Sequence, residues 1–327
     1  MVLTMLSCFC MKGEEDWKSE YRTAREMITK ARLERDISFL SDSICQGRAA
    51  GTRGSTEAAM WIQRKFEKCG LMKFGKTWSR SFRMENGSRG RNVMGMLPCS
   101  RTIPCDRYII IGAHYDHLGM LDGNLYPGAD ANASGVVAMT ALAEMFSEMR
   151  RMGRILGCNI IFAAFDGKEH DMKGSLELWE LIETERLTDP LSGKPVGREK
   201  IELMINIDQL GSTLAPVHSN RRDYLIMLGT HSLKPSRRQI LEKCNREYPI
   251  GLDIALDYYG SRNFTKIFYR LSDQKIFVDN RIPAVLFTSG ITMNTNKTWD
   301  TPDSLDMEIF RRRIWLIFQW TEEMMQS

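Results

Sequence analysis

The order of hydrophobic and polar positions divides the N-terminal part of the chain into two helices. Apolar residues recur at helical spacing over residues 16–40, which predicts a first helix there. A loop with three glycines follows at 47–54. A second helix is predicted over 56–69, capped by Ser55 and ended by Gly70.

Beyond residue 90 the pattern changes to short apolar runs that alternate with helical segments. Strands are predicted at 91–98, 107–116, 158–166, 201–211, 223–230 and 282–290, and helices at 134–150, 236–247 and 305–325. The run at 158–166 is too continuously apolar for a sheet with one wet face. The sequence therefore predicts an α/β fold with a mixed, largely parallel central sheet flanked by helices on both faces. We expect a single domain over 16–327, preceded at 1–15 by a leader or a disordered N-terminus.

Composition narrows the class of protein. The 327 residues are 43% apolar and 26% charged, which excludes a disordered or collagen-like chain. No apolar run approaches the ~20 residues of a membrane span, so we expect no transmembrane segment. The 45 basic and 41 acidic residues give a net charge of +4, too small an excess to predict nucleic-acid binding. The helical run Arg311-Arg312-Arg313 is expected to form a solvated or C-terminal-side helix face and not a nucleic-acid patch.

The N-terminus and the cysteines leave two questions open. The first eleven residues are apolar and lack Lys or Arg, unlike a complete secretory signal. The step into Cys8 loosely resembles a lipoprotein cleavage site, so a shortened signal with a lipid anchor at Cys8 stands beside a frayed cytoplasmic N-terminus. Cys99 and Cys105 flank a short connection and are either paired or free thiols. The sequence has no C-x-x-C pair, which disfavours a zinc ribbon.

Polar residues gather where three predicted strands end. His114 to His117 follow the second strand, 166–171 follow the third, and Asp208 ends the core of the fourth. A glycine-bracketed turn with Asp130 and Asn132 lies between the first two of these clusters. Ligands in such sheets bind beyond the carboxyl ends of strands, and imidazole with carboxylates suits zinc. No G-x-S-x-G elbow, phosphate-binding loop or dinucleotide fingerprint competes with this interpretation.

The same segments resemble, in order, the sequence blocks of the M28 family of zinc aminopeptidases, especially its compact secreted bacterial members. The blocks are GRNVMGMLP, IIIGAHYDHLG, PGADANASGVVAMTALAEMF, IIFAAFDGKEHDMKGS, INIDQLGS, LSDQKIFVDNRIPAVLFTSG and TWDTPDSLD. The resemblance extends from about Ala31 to the end of the chain. It implies a mixed sheet flanked by helices. It also implies two zinc ions that share a bridging carboxylate, and a glutamate base that activates a metal-bound water.

Carried over residue by residue, the resemblance implies a site that is only partly present. His114, Glu169 and Asp208 match metal ligands, and Asp116 matches the carboxylate that orients the first histidine. Other positions depart from the family pattern: Ala131 stands for the bridging Asp, Lys168 for the base, Asn296 for the last His ligand, and Gln274 for a His that is not usually a ligand. Asp130, one residue early, is a candidate to compensate for Ala131. No histidine follows His231 to restore the missing imidazole.

These substitutions predict an M28 protein whose catalysis is lost or impaired and which retains peptide binding. We expect no zinc or one weakly bound zinc, not two, with the Lys168 cation neutralising Glu169 and Asp208 instead. The resemblance implies peptide or protein N-termini as partners and a periplasmic or cell-surface location. Two alternatives stay open: a metal-dependent aminopeptidase with one zinc or a rearranged site, and a scaffold with no small ligand. A cytoplasmic location applies if the N-terminus is not a shortened signal.

Overall fold

The computed structural model describes residues 20–100, 105–213 and 221–327. The leader expected at 1–15 and the proposed anchor at Cys8 lie outside these residues. Over the described residues the α-helices cover 20–26 (α1), Lys30–Ser41 (α2), Arg53–Lys68 (α3), Gly135–Arg151 (α4), Lys173–Glu183 (α5), Ile240–Glu247 (α6), Arg262–Phe268 (α7), Gln274–Asp279 (α8) and Met307–Gln326 (α9). Each of these helices is too short or too polar to cross a bilayer.

The described strands form one large sheet and a small hairpin. They are Met72–Lys73 (β1), Ser79–Arg83 (β2), Arg89–Leu97 (β3), Tyr108–His114 (β4), Gly119–Leu121 (β5), Asn124–Tyr126 (β6), Asn159–Phe165 (β7), Ile201–Ile207 (β8), Tyr224–Leu228 (β9), Asp253–Ala255 (β10) and Ala284–Thr288 (β11). The large sheet has the order β1-β3-β7-β4-β8-β11-β9-β10, with β2 also paired to β3, and β5 pairs with β6.

The centre of the large sheet is parallel and its flanks are mixed. Strands β7, β4, β8 and β11 run in one direction. Strand β3 is antiparallel to β7, and β9 is antiparallel to β11 but parallel to β10. Along β4, Ile109 and Ile111 enter the core packed by α2, α3, α4 and α9, and Ile110 enters the core packed by α5 and α8. Helices therefore cover both faces, as expected when a continuously apolar strand is buried on both sides. The predicted fold class is confirmed. A single domain over 16–327 stays a prediction.

Several predicted boundaries were wrong for local reasons. The first helix is interrupted at 27–29, because the Thr29 side chain caps a new helix by accepting from the Arg32 N–H at 3.3 Å. Residues 16–19 lie outside the described chain. In the second helix, Thr52 and not Ser55 is the cap, and accepts from the Ser55 N–H at 3.2 Å. The predicted strand 201–211 ends at Ile207, and only Ile240–Glu247 of the predicted helix 236–247 is α-helical.

Two further expectations from the sequence are resolved by packing. Arg313 is fully buried, so the solvated face predicted for the arginine run was wrong at this position. Its guanidinium donates to the carbonyls of Leu210, Ser212 and Tyr224 at 2.5–2.7 Å, which compensates a buried cation with backbone oxygens. No disulfide joins Cys99 and Cys105 in the described part of the chain.

Candidate functional site

A cleft of about 260 Å³ lies at the carboxyl ends of the parallel strands. Its position follows from topology, because β4, β7, β8 and β11 all end at this edge of the sheet. The lining consists of His114, His117, Ala131, Lys168, Glu169, Asp208, Gln209, Tyr258, Phe268, Leu271, Ser272, Leu286, Thr288, Ile291, Thr295 and Asn296. The sheet thus brings together most of the positions that the sequence singled out.

His114 and Asp208 form a buried ion pair on the floor of the cleft. His114 is the last residue of β4, and Asp208 follows β8. The His114 Nε2 atom lies 3.3 Å from Asp208 Oδ1. Burial alone would lower the pKa of His114, but the charge of Asp208 and hydrogen bonds to Asp116 and Asp208 outweigh it and raise the pKa to about 10. Burial would likewise raise the pKa of Asp208, but the His114 charge holds it below its usual range.

Asp116 lies below the lining of the cleft and contacts both His114 and the loop after β7. Its fully buried carboxylate accepts from the backbone N–H groups of Lys168 at 3.1 Å and Glu169 at 3.2 Å. The His114 Nδ1 atom lies 3.1 Å from the Asp116 carbonyl oxygen and 3.7 Å from its carboxylate. Burial would raise the pKa of Asp116, and these His114 and backbone contacts lower it. Asp116 therefore fixes both the imidazole and the loop after β7.

Lys168 and Glu169 pair with each other in the wall of the cleft. The Lys168 Nζ atom donates to Glu169 Oε1 at 3.0 Å, and the two side chains are 23% and 31% exposed. Burial would lower the pKa of Lys168, but the charges of Asp208 and Glu169 raise it above its usual value. The lysine is therefore a fixed cation at neutral pH. Glu169 points to Lys168 and has no described contact with His114 or Asp208.

The turn before α4 presents a methyl group to the cleft. Ala131 is 4% exposed and lines the cleft, and its backbone N–H donates to Asp300 at 3.1 Å. The carboxylate of Asp130 does not line the cleft. It accepts instead from the Gly211 N–H at 2.7 Å and the Ser134 hydroxyl at 2.9 Å. The Asp130 carboxylate is thus bonded to Gly211 and Ser134 and does not reach the cleft beside Ala131 in this structure.

Asn296 and Gln274 occupy different environments. Asn296 is exposed, lines the cleft and has a positive φ of 60°. Gln274 is fully buried beside the cleft, where it donates to the Tyr269 carbonyl at 2.5 Å and accepts from Asn206 at 2.7 Å. Gln274 therefore contributes to packing and not to the lining.

Two residues at the cleft received no role from the sequence. His117 lines the cleft and is 2% exposed, and its Nε2 has no hydrogen-bond partner among the described residues. Its ring packs on Gly128, where a Cβ atom would lie 2.5 Å from His117 Cδ2. Arg48 is fully buried and donates to the carbonyls of Leu40, Tyr115, Pro127 and Gly128. The histidine was visible as a candidate, whereas nothing in the glycine-rich loop marked Arg48 as buried.

Comparison with known proteins agrees with this geometry. Residues 92–321 match the model of peptidase family M28, and the chain belongs to that family. No curated protein matches the sequence. Solved structures with a similar fold include LapB from Legionella pneumophila, at 18% identity and a TM-score of 0.69 over 94% of this chain and 75% of that one.

Two further similar structures come from different kinds of enzyme. BSAP, a zinc aminopeptidase from Bacillus subtilis, is 12% identical with a TM-score of 0.67, over 91% of this chain and 95% of that one. The glutaminyl cyclase of Porphyromonas gingivalis is 14% identical with a TM-score of 0.66, over 91% and 99%. At these identities the likeness concerns the fold, and the fold is found in enzymes of both kinds.

The zinc pair that the family implies does not fit the residues present in the cleft. His114 and Asp208 are bonded to each other, Glu169 is bonded to a lysine, and Ala131 has no donor atom. Over the described ranges, no group of three His, Cys, Asp or Glu side chains is arranged to hold a metal. Catalytic zinc sites use three protein ligands and structural sites use four. The donor set is therefore too small for two zinc ions.

Proposed function

We propose that this M28 chain is a peptide-binding protein whose catalysis is absent or strongly impaired. The observation that carries the proposal is the Lys168–Glu169 ion pair of 3.0 Å in the wall of the cleft. A fixed ammonium group at that position cannot accept a proton from water, because the neighbouring carboxylates stabilise its charged form. The cleft keeps apolar and hydrogen-bonding groups that suit a short peptide.

The ion pairs also explain how the cleft can persist without metal. Buried carboxylates without a metal ion would repel each other, and neither water nor a cation would stabilise their charge. Here His114 faces Asp208, and Lys168 faces Glu169. Each anion of the lining therefore has a cation as its neighbour. This arrangement supports the hypothesis that Lys168 takes the place of a zinc ion.

Metal content before and after reversal of the substitutions tests the proposal. The purified protein is incubated with zinc, freed of excess, and its zinc is counted by mass spectrometry. We expect wild-type protein to retain none, or one weakly held ion. The combined variant Ala131→Asp, Lys168→Glu, Asn296→His should retain more. Lys173→Glu is a matched control, because Lys173 pairs with Glu177 on α5 and does not line the cleft.

The same samples are assayed for release of an N-terminal amino acid from a chromogenic anilide. We expect no zinc-dependent release by wild-type protein. Two tightly held ions together with release would contradict the proposal. One ion with release would instead support the alternative of an aminopeptidase with a rearranged site.

Export to the periplasm or cell surface is a separate part of the proposal. It rests on the resemblance to secreted members and on the Ser-Cys step at Cys8. Fractionation of cells that express the full chain with a C-terminal tag tests it. Recovery from the cytoplasm alone would contradict export, and loss of membrane association in Cys8→Ala would support the lipid anchor.

A further inference from the structure

We infer that the cleft binds a ligand through a carboxylate next to an apolar side chain, as at the C-terminus of a peptide, and rejects a free amine. The inference rests on the proposed function and specifies its ligand. The inferred ligand is the opposite end of a peptide from the one that the family resemblance implies, which is the N-terminus.

An ammonium group entering the cleft finds no unengaged carboxylate among the described lining residues. Asp208 is bonded to His114, and Glu169 is bonded to Lys168. Asp116, below the lining, accepts from two backbone N–H groups and is fully buried. An amine would therefore meet only carboxylates whose charge is already balanced by His114 or Lys168. The Lys168 ammonium would also repel a second cation in the same small space.

A carboxylate entering the same cleft meets hydrogen-bond donors. An ammonium group has three N–H donors, and the described partner of Lys168 is Glu169. The remaining donors are accessible, because the Lys168 side chain is 23% exposed and lines the cleft. Asn296 contributes an exposed amide to the lining. Glu169 is itself 31% exposed, so it can turn to solvent when a ligand oxygen takes its place.

His117 adds a second, independent observation. This buried imidazole lines the cleft, yet its Nε2 has no described partner within the protein. A buried polar nitrogen without a partner is costly, and native proteins rarely keep one unless a ligand or water completes it. A ligand carboxylate bridging towards His117 and Lys168 would satisfy this atom.

Beside these donors the lining is apolar. Tyr258, Phe268, Leu271, Leu286 and Ile291 contribute to it. The rings of Tyr258 and Phe268 stack with centroids 4.2 Å apart, and Leu271 and Ile291 are 53% and 42% exposed. Covering exposed aliphatic side chains with an apolar ligand side chain is favourable. The two kinds of lining together match an apolar residue that ends in a carboxylate.

Calorimetric titration of the full chain with four single-residue probes tests the inference. N-acetyl-leucine has the carboxylate without the amine, leucinamide has the amine without the carboxylate, and N-acetyl-leucinamide has neither. N-acetyl-glutamic acid α-amide carries its carboxylate on the side chain. We expect N-acetyl-leucine to bind at least about tenfold more tightly than N-acetyl-leucinamide, the range of a charge-assisted hydrogen bond. Leucinamide should bind most weakly, and the glutamate probe more weakly than N-acetyl-leucine.

Three variants separate the carboxylate donor from its competitor. Lys168→Met should abolish the preference for N-acetyl-leucine over its amide. Glu169→Gln should increase it, because the lysine loses its internal partner. Lys173→Met, outside the cleft, should leave it unchanged.

Each contrary outcome is diagnostic. Tightest binding of leucinamide, weakened by Glu169→Gln, would overturn the inference while leaving the non-catalytic proposal in place. Tightest binding of the glutamate probe would overturn the assignment to a chain terminus. Absence of binding by all four probes would overturn both the inference and peptide binding. Zinc-dependent hydrolysis of leucinamide would overturn the proposed function itself.

Discussion

The residues beneath the cleft and the residues that line it are held in different ways. We call Asn132, Asp116, Arg48 and their buried neighbours the support, and the lining residues the face. In the support, the fully buried Asn132 donates to the carbonyls of His114 and Ile207 at 3.2 and 2.9 Å. It also accepts from the N–H groups of Gly135 and Gln209 at 3.0 and 2.9 Å. On the face, an exposed Asn296 lines the cleft with no described side-chain bond of this kind.

This difference separates shape from chemistry. Residues of the support bond mainly to backbone atoms, as Asn132, Asp116 and Arg48 do, so they fix where strand ends lie whatever side chains those ends carry. On the face, the charged side chains bond mainly to each other, His114 to Asp208 and Lys168 to Glu169, and Asn296 has no described side-chain hydrogen bond. The cleft can therefore keep its shape although Ala131, Lys168 and Asn296 stand where the family resemblance implies an aspartate, a glutamate and a histidine.

The largest effect that tests this comparison is expected at Arg48. Arg48→Met leaves the carbonyls of Leu40, Tyr115, Pro127 and Gly128 buried without their cationic donor. We expect the free energy of unfolding to fall by about 3–5 kcal/mol, as for other buried charged partners. Denaturant melts measure it, with the exposed Arg53→Met as a control that should change it by less than about 0.5 kcal/mol. Equal effects of the two variants would refute a role of Arg48 in the support.

A matched pair of asparagines gives the next largest contrast. Asn132→Ala removes buried hydrogen bonds that join β4, β8 and the start of α4, and should cost about 2–4 kcal/mol of unfolding free energy. Asn296→Ala, on the face, should cost only about 1 kcal/mol, because it loses no buried hydrogen bond but places alanine at a positive φ of 60°. Thermal melts of both variants in one buffer decide the point. If Asn296→Ala proved the more damaging, the division between support and face would be wrong.

Asp273 is an exception within the support and gives a smaller, pH-dependent effect. It is fully buried, and neither oxygen has a described hydrogen-bond partner. Burial raises the pKa of Asp273 to about 6, although the charge of His114 opposes it. The nearby Ser175 hydroxyl, which donates to the Met172 carbonyl at 2.9 Å, lowers the pKa of Asp273 only in part. A raised carboxyl pKa stabilises the fold at low pH, and this contribution is lost as pH rises from about 4 through about 6.

Asp273→Asn should remove that loss. We expect the variant to gain about 1–3 kcal/mol over wild type at pH 7.5 and little at pH 4. Unfolding free energies measured across this range provide the comparison. A difference between variant and wild type that does not change with pH would show that Asp273 does not titrate in the fold.

The sequence predicted the fold through signals that are local. Apolar runs located β4, β7 and β8, although the strand predicted to run to 211 ends at Ile207. Strand polarity then placed His114, Lys168 and Asp208 at one edge of the sheet. The partners of these residues were less accessible. Burial of Arg48 and Arg313 depends on carbonyls that lie far away along the chain, and no residue pattern encodes those distances.

The orientation of side chains was also beyond the sequence. Asp130 and Ala131 are neighbours, yet the carboxylate of one bonds behind the turn while the methyl of the other faces the cleft. Gln274 stands one residue after Asp273 and is enclosed by Asn206 and Tyr269. Both side-chain orientations depend on tertiary contacts that cannot be predicted from a single sequence.

The contacts of Arg313 have a consequence for how the molecule is completed during synthesis. The backbone just beyond Asp208 is held at Leu210 and Ser212 by a side chain that follows a hundred residues later, on α9. A chain that emerges from its N-terminus can pair β4, β7 and β8 before that helix exists. Until α9 docks, the carbonyls of Leu210 and Ser212 lack the guanidinium of Arg313 as their hydrogen-bond donor. We therefore expect the floor of the cleft to reach its final position only when α9 docks on the sheet.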